Sequence, residues 1–165
     1  MTFSLMVWPL VVLAMVTALL AGVFLTFSDF LMRALDRSAP AGGTEVMQRV
    51  NREVYASVFM ALFLGMVPVS ALLLGYGTLW LSGPLAFWLT AAGALYLLGV
   101  FAVTAAGNVP MNRRLDAMPL AGDAAQAYWP AYTRGWLRWN HLRAFAALAA
   151  SVCHVMAALV LASGG

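Results

Sequence analysis

Lysine is absent from this chain of 165 residues, and charge of any kind is scarce: 9% of the residues are charged, against roughly 25% in an ordinary soluble domain. Apolar residues make up 64%, more than a soluble fold of this length has interior to hide, which excludes a water-soluble globule. Cysteine is nearly missing as well. The single Cys153 permits no internal disulfide and no thiolate metal cluster, and a lone buried thiol behaves as a small hydrophobe. The two histidines, His141 and His154, are thirteen residues apart. On one helix that is about 20 Å at 1.5 Å per residue, so they cannot share one haem. There is no H-x-x-x-H, no C-x-x-C, no carboxylate-x-x-His pair, no G-x-G-x-x-G and no Walker loop.

What the chain has instead is long apolar runs. Crossing a bilayer core takes about 20 predominantly apolar residues per helix, and four stretches reach that length: 3–27, 54–75, 84–106 and 144–162. None of them contains an acidic or basic residue. The expected fold class is therefore all-α, a four-helix transmembrane bundle forming a single membrane domain over residues 1–165, with interfacial segments at about 29–53 and 112–143. The first stretch has no basic n-region, is longer than a signal-peptide h-region and is followed by no A-x-A site. It reads as retained.

With no lysine, orientation rests on arginine. All nine arginines fall between the first and second stretches (Arg33, Arg37, Arg49, Arg52) or between or at the edges of the third and fourth (Arg113, Arg114, Arg134, Arg138, Arg143). Short cytoplasmic loops collect basic residues, so both termini are expected outside and both arginine-bearing segments in the cytoplasm, in the cell membrane. The pI near 9.5 then needs no nucleic-acid partner; the lipid bilayer is the partner that the composition implies.

Along the first arginine-bearing segment, F-L-M-R-A-L-D continues the helix past the membrane edge. After Pro40 and Gly42-Gly43, Thr44 is placed to N-cap a helix that runs through Gln48, Asn51 and Tyr55 into the second span. The second segment holds Tyr128, Trp129, Tyr132, Trp136 and Trp139, spaced to lie on roughly one helix face. They read either as an interfacial aromatic belt or as a lid over a pocket. A faint internal repeat pairs Asp29-Phe-Leu-Met32 with Asn108-Val-Pro-Met111 and Arg49-Val-Asn51-Arg52 with Arg138-Trp-Asn140-His141, as in a parallel repeat about the membrane normal.

Polar side chains gather at one depth. Asp29 ends the first span, Gln48 and Asn51 precede the second, Asn108 and Asn112 end the third, and Asn140, His141 and Arg143 open the fourth. Gln48, Asn51 and Tyr55 follow i, i+3, i+7; Asn108 and Asn112 follow i, i+4 if the helix persists through Pro110; Trp136, Asn140 and Arg143 follow i, i+4, i+7. Polar groups at the rim of a bundle face its interior or a wet cavity, because lipid cannot satisfy them. Helix caps and interhelical glue are the plainer reading. On the pocket reading, His141, whose unperturbed pKa lies near physiological pH, is the candidate acid or base. Arg143 would hold an anion, and Asn140 and Asn108 would donate to an oxyanion. Asp29 would pair with Arg33 or orient the histidine. No metal site is expected.

The segments A-G-V-F-L-T-F-S-D-F-L-M-R-A-L (21–35), M-Q-R-V-N-R-E-V (47–54), G-N-V-P-M-N-R-R-L (107–115) and W-L-R-W-N-H-L-R (136–143) together resemble the anthrone oxygenase family, small four-helix membrane proteins. The resemblance covers nearly the whole chain and is carried most specifically by the G-N-x-P-x-N and W-x-x-W-N-x-x-R elements. Matching motif positions are Asn51, Asn108, Asn112, Trp139, Asn140 and Arg143. The resemblance implies the reaction of fungal family members, which oxidise an anthrone to an anthraquinone with molecular oxygen. Here it would proceed with no bound metal or flavin, on a hydrophobic aromatic substrate stacking on Trp136, Trp139 and Tyr55. The alternative is a non-catalytic membrane protein that binds a lipid or small hydrophobic ligand, or that serves as a structural or oligomeric subunit; a homo-oligomer is compatible with either reading.

Overall fold

The computed structural model describes residues 2–39 and 41–164, and among these it contains helices and no strand. Pro40, expected as a break, lies outside the described residues. Helix α1 (Thr2–Thr26) passes through a π-helical segment, Phe27–Leu31, into α2 (Met32–Asp36) as one rod. After a short connection come α3 (Gly42–Glu53) and α4 (Val58–Leu79). The next rod is α5 (Gly83–Ala94), two π-helical segments, Leu95–Ala102 and Thr104–Asn108, and α6 (Val109–Asp116). The chain closes with α7 (Asp123–Ala162), a single helix of 40 residues. Four of these rods are long and apolar enough to cross a membrane.

The four expected spans fall within these rods, with one correction. No helix runs from Thr44 through Tyr55 into the second span: α3 ends in a 3-10 turn, Val54–Ala56, and Ser57 is extended at φ −96 and ψ 155. Ser57 then caps α4, its Oγ accepting the Met60 N–H at 3.2 Å, the ordinary way of satisfying an orphan donor. Thr44 is not a cap either. Its hydroxyl donates back to the Ala41 carbonyl at 2.9 Å, and Ala41 holds the N-cap position. Pro110 sits in the first turn of α6, directly after the π-helical segment Thr104–Asn108, and does not end the helix: the third rod persists to Asn112 and beyond.

Small residues set the helix spacing, as expected where lipid offers no hydrophobic driving force and close approach does the work. Helix α7 runs along α1 with Ala146, Ala147, Ala150 and Ala157 buried, and the Ser151 hydroxyl reaches across to the Ala14 carbonyl at 2.8 Å. Helices α4 and α5 meet at Gly93, where a Cβ would stand 2.5 Å from the Ser70 carbonyl oxygen. Large apolar side chains such as Trp8, Leu72, Leu79 and Phe145 point outward, onto the surface a bilayer would cover.

One apolar core lies inside the spans, around Leu20, Phe24, Phe63, Met66, Tyr96 and Val100. A second lies at the arginine-bearing end, where Met32, Leu35, Met47, Leu115, Trp129, Tyr132 and Trp136 pack together. At 1.5 Å per residue α7 is about 60 Å long, twice the thickness of a bilayer core, and its first half builds this second core. Three of the five clustered aromatics, Trp129, Tyr132 and Trp136, are buried here, with successive ring centroids 5.6 and 6.4 Å apart. They form neither an outward belt nor a detached lid.

Candidate functional site

Between the two cores lies a cavity of about 580 Å³. Its exposed lining residues, Glu53, Tyr55, Leu64, Ala105 and Arg113, belong to α3, the turn after it, α4 and the third rod, while Phe24 of α1 meets Phe59 of α4 edge to face, with centroids 5.6 Å apart. Its walls are aromatic: Phe24, Phe27, Phe59, Phe63, Phe101 and Trp136. All three π-helical segments contribute to it, Phe27 from the first, Phe101 from the second, and Thr104, Ala105 and Asn108 from the third. Such segments recur at functional sites because the wider turn displaces side chains from the regular helical register.

Arg143 is the buried charged group on the wall. It is 7% exposed, and its guanidinium lies over the faces of Phe24 and Trp136, 4.5 and 5.2 Å from the ring centroids. Nη2 donates to Asn140 Oδ1 at 2.6 Å and Nη1 to Thr104 Oγ1 at 3.3 Å, while Nε has no partner. No carboxylate pairs with it; the ion pairs among the described residues are Arg33–Asp29 and Arg49–Glu45, both exposed. A buried cation held only by neutral groups is costly to place, and ring faces offset only part of that cost. The arrangement leaves room for an anion.

Asn140 anchors this cation. Its Nδ2 donates to the Phe24 carbonyl and to Ser28 Oγ, each at 2.7 Å, so that its Oδ1 is turned toward Arg143. Every hydrogen-bonding atom of the Asn140 amide is engaged, and the residue is fully buried.

Asn108 and Asn112 stand one turn apart and present opposite polarity. Asn108 Nδ2 donates to the Trp136 carbonyl at 3.2 Å, leaving Oδ1 buried and unpartnered. Asn112 Oδ1 accepts from both Tyr132 Oη and Trp136 Nε1 at 2.9 Å, which fixes the amide so that its N–H₂ is the free end. Both residues line the cavity. A ligand there meets donors at Asn112 and Arg143, while the Asn108 Oδ1 acceptor has no exposed surface of its own.

Of the eleven side chains singled out from the sequence, Asn51, Tyr55, Asn108, Asn112, Trp136, Asn140 and Arg143 come together on this wall. Asn51 also reaches Asp116 Oδ1, at 3.4 Å, and Tyr55 is on the exposed rim. Gln48 is buried but serves the fold: Nε2 donates to the carbonyls of Leu115 and Met118, at 2.9 and 3.1 Å, and Oε1 accepts from the Ala121 N–H at 3.2 Å. That bond steadies a turn in which Ala121 takes the left-handed φ of 53. Asp29 is exposed and paired with Arg33 at 3.3 Å, the first of its two expected partners. Trp139 is 41% exposed and lies against Gly107, where a Cβ would be 2.5 Å from the indole.

His141 is the main departure. It is exposed and lines a separate groove between α1 and α7, with Ala18, Ala21, Gly22, Ser28 and Phe145. One residue from Asn140 and two from Arg143, it is turned by 100° or more from the face those two share. Sequence reasoning passed over Thr104, whose i, i+4, i+8 spacing with Asn108 and Asn112 was readable, and Glu53, Arg113 and the phenylalanines, for which no polar spacing signalled a wall. Among the described residues no three His, Cys, Asp or Glu side chains cluster as metal ligands would.

A family model described as anthrone oxygenase matches residues 52–153, a stretch that includes Thr104, Asn108, Asn112, Trp136, Asn140 and Arg143. Among curated proteins and among solved structures, none matches the chain. With the match covering well over half of its length, and with the wall of the cavity built largely from the matched stretch, the chain belongs to the anthrone oxygenase family.

Proposed function

We propose that the protein oxidises a flat, polycyclic aromatic ketone of the anthrone type with molecular oxygen, without a resident metal or flavin, inside the cavity below Arg143. The observation that carries this reading is the buried guanidinium without a carboxylate partner on the wall of an aromatic cavity. An anthrone carries an acidic CH₂ group, because the electron pair left by its proton delocalises through the ring onto the carbonyl oxygen and makes the central ring aromatic. Arg143 and the free Asn112 N–H₂ would stabilise that oxyanion where it develops, and donors fixed in advance in a water-poor site are the strongest means of doing so. The resulting anion is electron-rich enough to react with oxygen directly. The CH₂ loses two hydrogens and gains one oxygen, and the second oxygen leaves as water.

The aromatic walls suit a substrate that partitions into lipid and enters sideways between helices. The proposed setting is the cell membrane, with both termini outside and the arginine-bearing end in the cytoplasm. His141 lies too far round α7 to act on a ligand in the cavity, so its expected role as acid or base has no geometric support.

Oxygen uptake by the purified protein in detergent, with anthrone as substrate, tests the reading. Uptake above the autoxidation blank that falls about 100-fold or more in R143M, as for loss of an oxyanion donor, is the expected result. An R143M protein that folds and consumes oxygen at the wild-type rate would sink it.

A further inference from the structure

The reaction proposed above needs a proton acceptor, and the cavity holds one. Besides Arg143, the ionisable side chains on its wall are Glu53, Tyr55 and Arg113, so that Glu53 is the one carboxylate among the described lining residues. It is also the acidic side chain left free. Asp29 is paired with Arg33, Glu45 with Arg49, Asp36 accepts from the Trp129 indole at 3.0 Å, Asp116 accepts from Asn51, and Asp123 stands in the first turn of α7, where the helix dipole favours it. Glu53 has none of these partners. It is the last residue of α3, immediately before the break at Val54–Ser57, and it is exposed as well as lining the cavity. A carboxylate in that position can reach a bound ligand on one side and return its proton to water on the other.

We propose that Glu53 is the catalytic base that takes the proton from the acidic carbon of the bound ketone; the inference rests on the oxygenase reading. The C–H bond breaks, its proton passing to a Glu53 carboxylate oxygen and its electron pair moving through the ring onto the carbonyl oxygen beside Arg143. Molecular oxygen then accepts the electrons and bonds to the carbon, and the Glu53 proton completes a hydroperoxide. Glu53 removes the second proton from the same carbon as the O–O bond breaks; hydroxide leaves and takes that proton, giving the new carbonyl, one water and an unprotonated Glu53. The carbon is oxidised and the oxygen reduced, with no further co-reactant.

The experiment separates proton removal from oxygen chemistry. Anthrone is incubated anaerobically with wild-type, E53Q and E53D protein in deuterated buffer and detergent. Hydrogen–deuterium exchange at its CH₂ is followed by NMR, oxygen uptake is measured in parallel, and binding is read from quenching of tryptophan fluorescence. The expected result is that E53Q slows exchange and oxygen uptake together by about 100-fold or more, the usual contribution of a general base, with anthrone binding little changed, and that E53D restores part of both. Wild-type oxygen uptake with unchanged exchange in E53Q would overturn the role of Glu53 and leave the oxygenase reading standing. Loss of binding in E53Q along with turnover would also overturn it, by assigning Glu53 to binding. A wild-type protein that binds anthrone but neither exchanges its protons nor consumes oxygen would overturn both.

Discussion

The indole N–H of Trp136 donates to Asn112 Oδ1 at 2.9 Å, and the Tyr132 hydroxyl, one turn earlier on α7, donates to the same oxygen at the same distance. Removing the acceptor strands two donors in the second core, and a stranded buried donor costs about 1–3 kcal/mol. N112L is therefore expected to lose about 2–4 kcal/mol of stability, whereas N112D, which keeps an acceptor in place, retains most of it. Thermal unfolding of the two variants in the same detergent checks this; equal losses would show that the double acceptance is not what matters there.

Asn140 joins α1 to α7 through the Phe24 carbonyl and Ser28 while holding Arg143. N140A should cost about 2–4 kcal/mol, and part of that should vanish when Arg143 is already methionine. A double-mutant cycle in a denaturing-detergent titration should give a coupling of about 0.5–3 kcal/mol. Strict additivity would mean that the 2.6 Å contact contributes nothing to the fold.

His141→Ala is expected to leave anthrone-dependent oxygen uptake within about twofold of wild type, because surface positions away from the cavity usually matter little. A loss as large as that of R143M would place the histidine back in the chemistry.

Why that histidine misled is physical. Around the cavity α7 is polar on two sides, with Arg134, Arg138 and His141 on one and Asn140 and Arg143 on the other, so polarity alone does not say which of the two faces the pocket. The i, i+4 pair Asn108 and Asn112 and the i, i+3 pair Asn140 and Arg143 were readable because two polar residues on one face of an apolar helix must share a destination. Phe24, Phe59 and Phe63 were not, since a phenylalanine facing a cavity and one facing lipid look alike in sequence. Glu53 was hidden by continuity: a helix assumed to run through Tyr55 conceals the break that brings Glu53 to the cavity rim. The four spans, by contrast, follow from length and the absence of charge alone.

Two glycines should respond oppositely to alanine. A Cβ at Gly93 would lie 2.5 Å from the Ser70 carbonyl oxygen and 2.9 Å from Leu74 Cβ, while at Gly65 nothing lies within 4 Å. G93A should cost about 1–3 kcal/mol through overpacking, and G65A should be neutral or stabilising by up to about 1 kcal/mol, from helix propensity. Melting temperatures measured side by side decide the matter; a tolerant Gly93 would mean that α4 and α5 are not in close contact there.

The π-helical segment Thr104–Asn108 is, in effect, an α-helix carrying an extra residue. Each residue turns a helix by about 100°, so the direction in which Asn112 points depends on how many residues precede it as well as on which residue it is. Deleting one alanine from Thr104–Asn108 would let the wide turn close into an ordinary α-helical turn and leave Asn112 on the wall, whereas deleting Met111 from the regular turn that follows would swing the rest of α6 round and carry the amide off the wall with no polar side chain altered. Among homologues, a single-residue gap in that regular turn would then separate chains that keep the pocket from chains that keep only its amino acids.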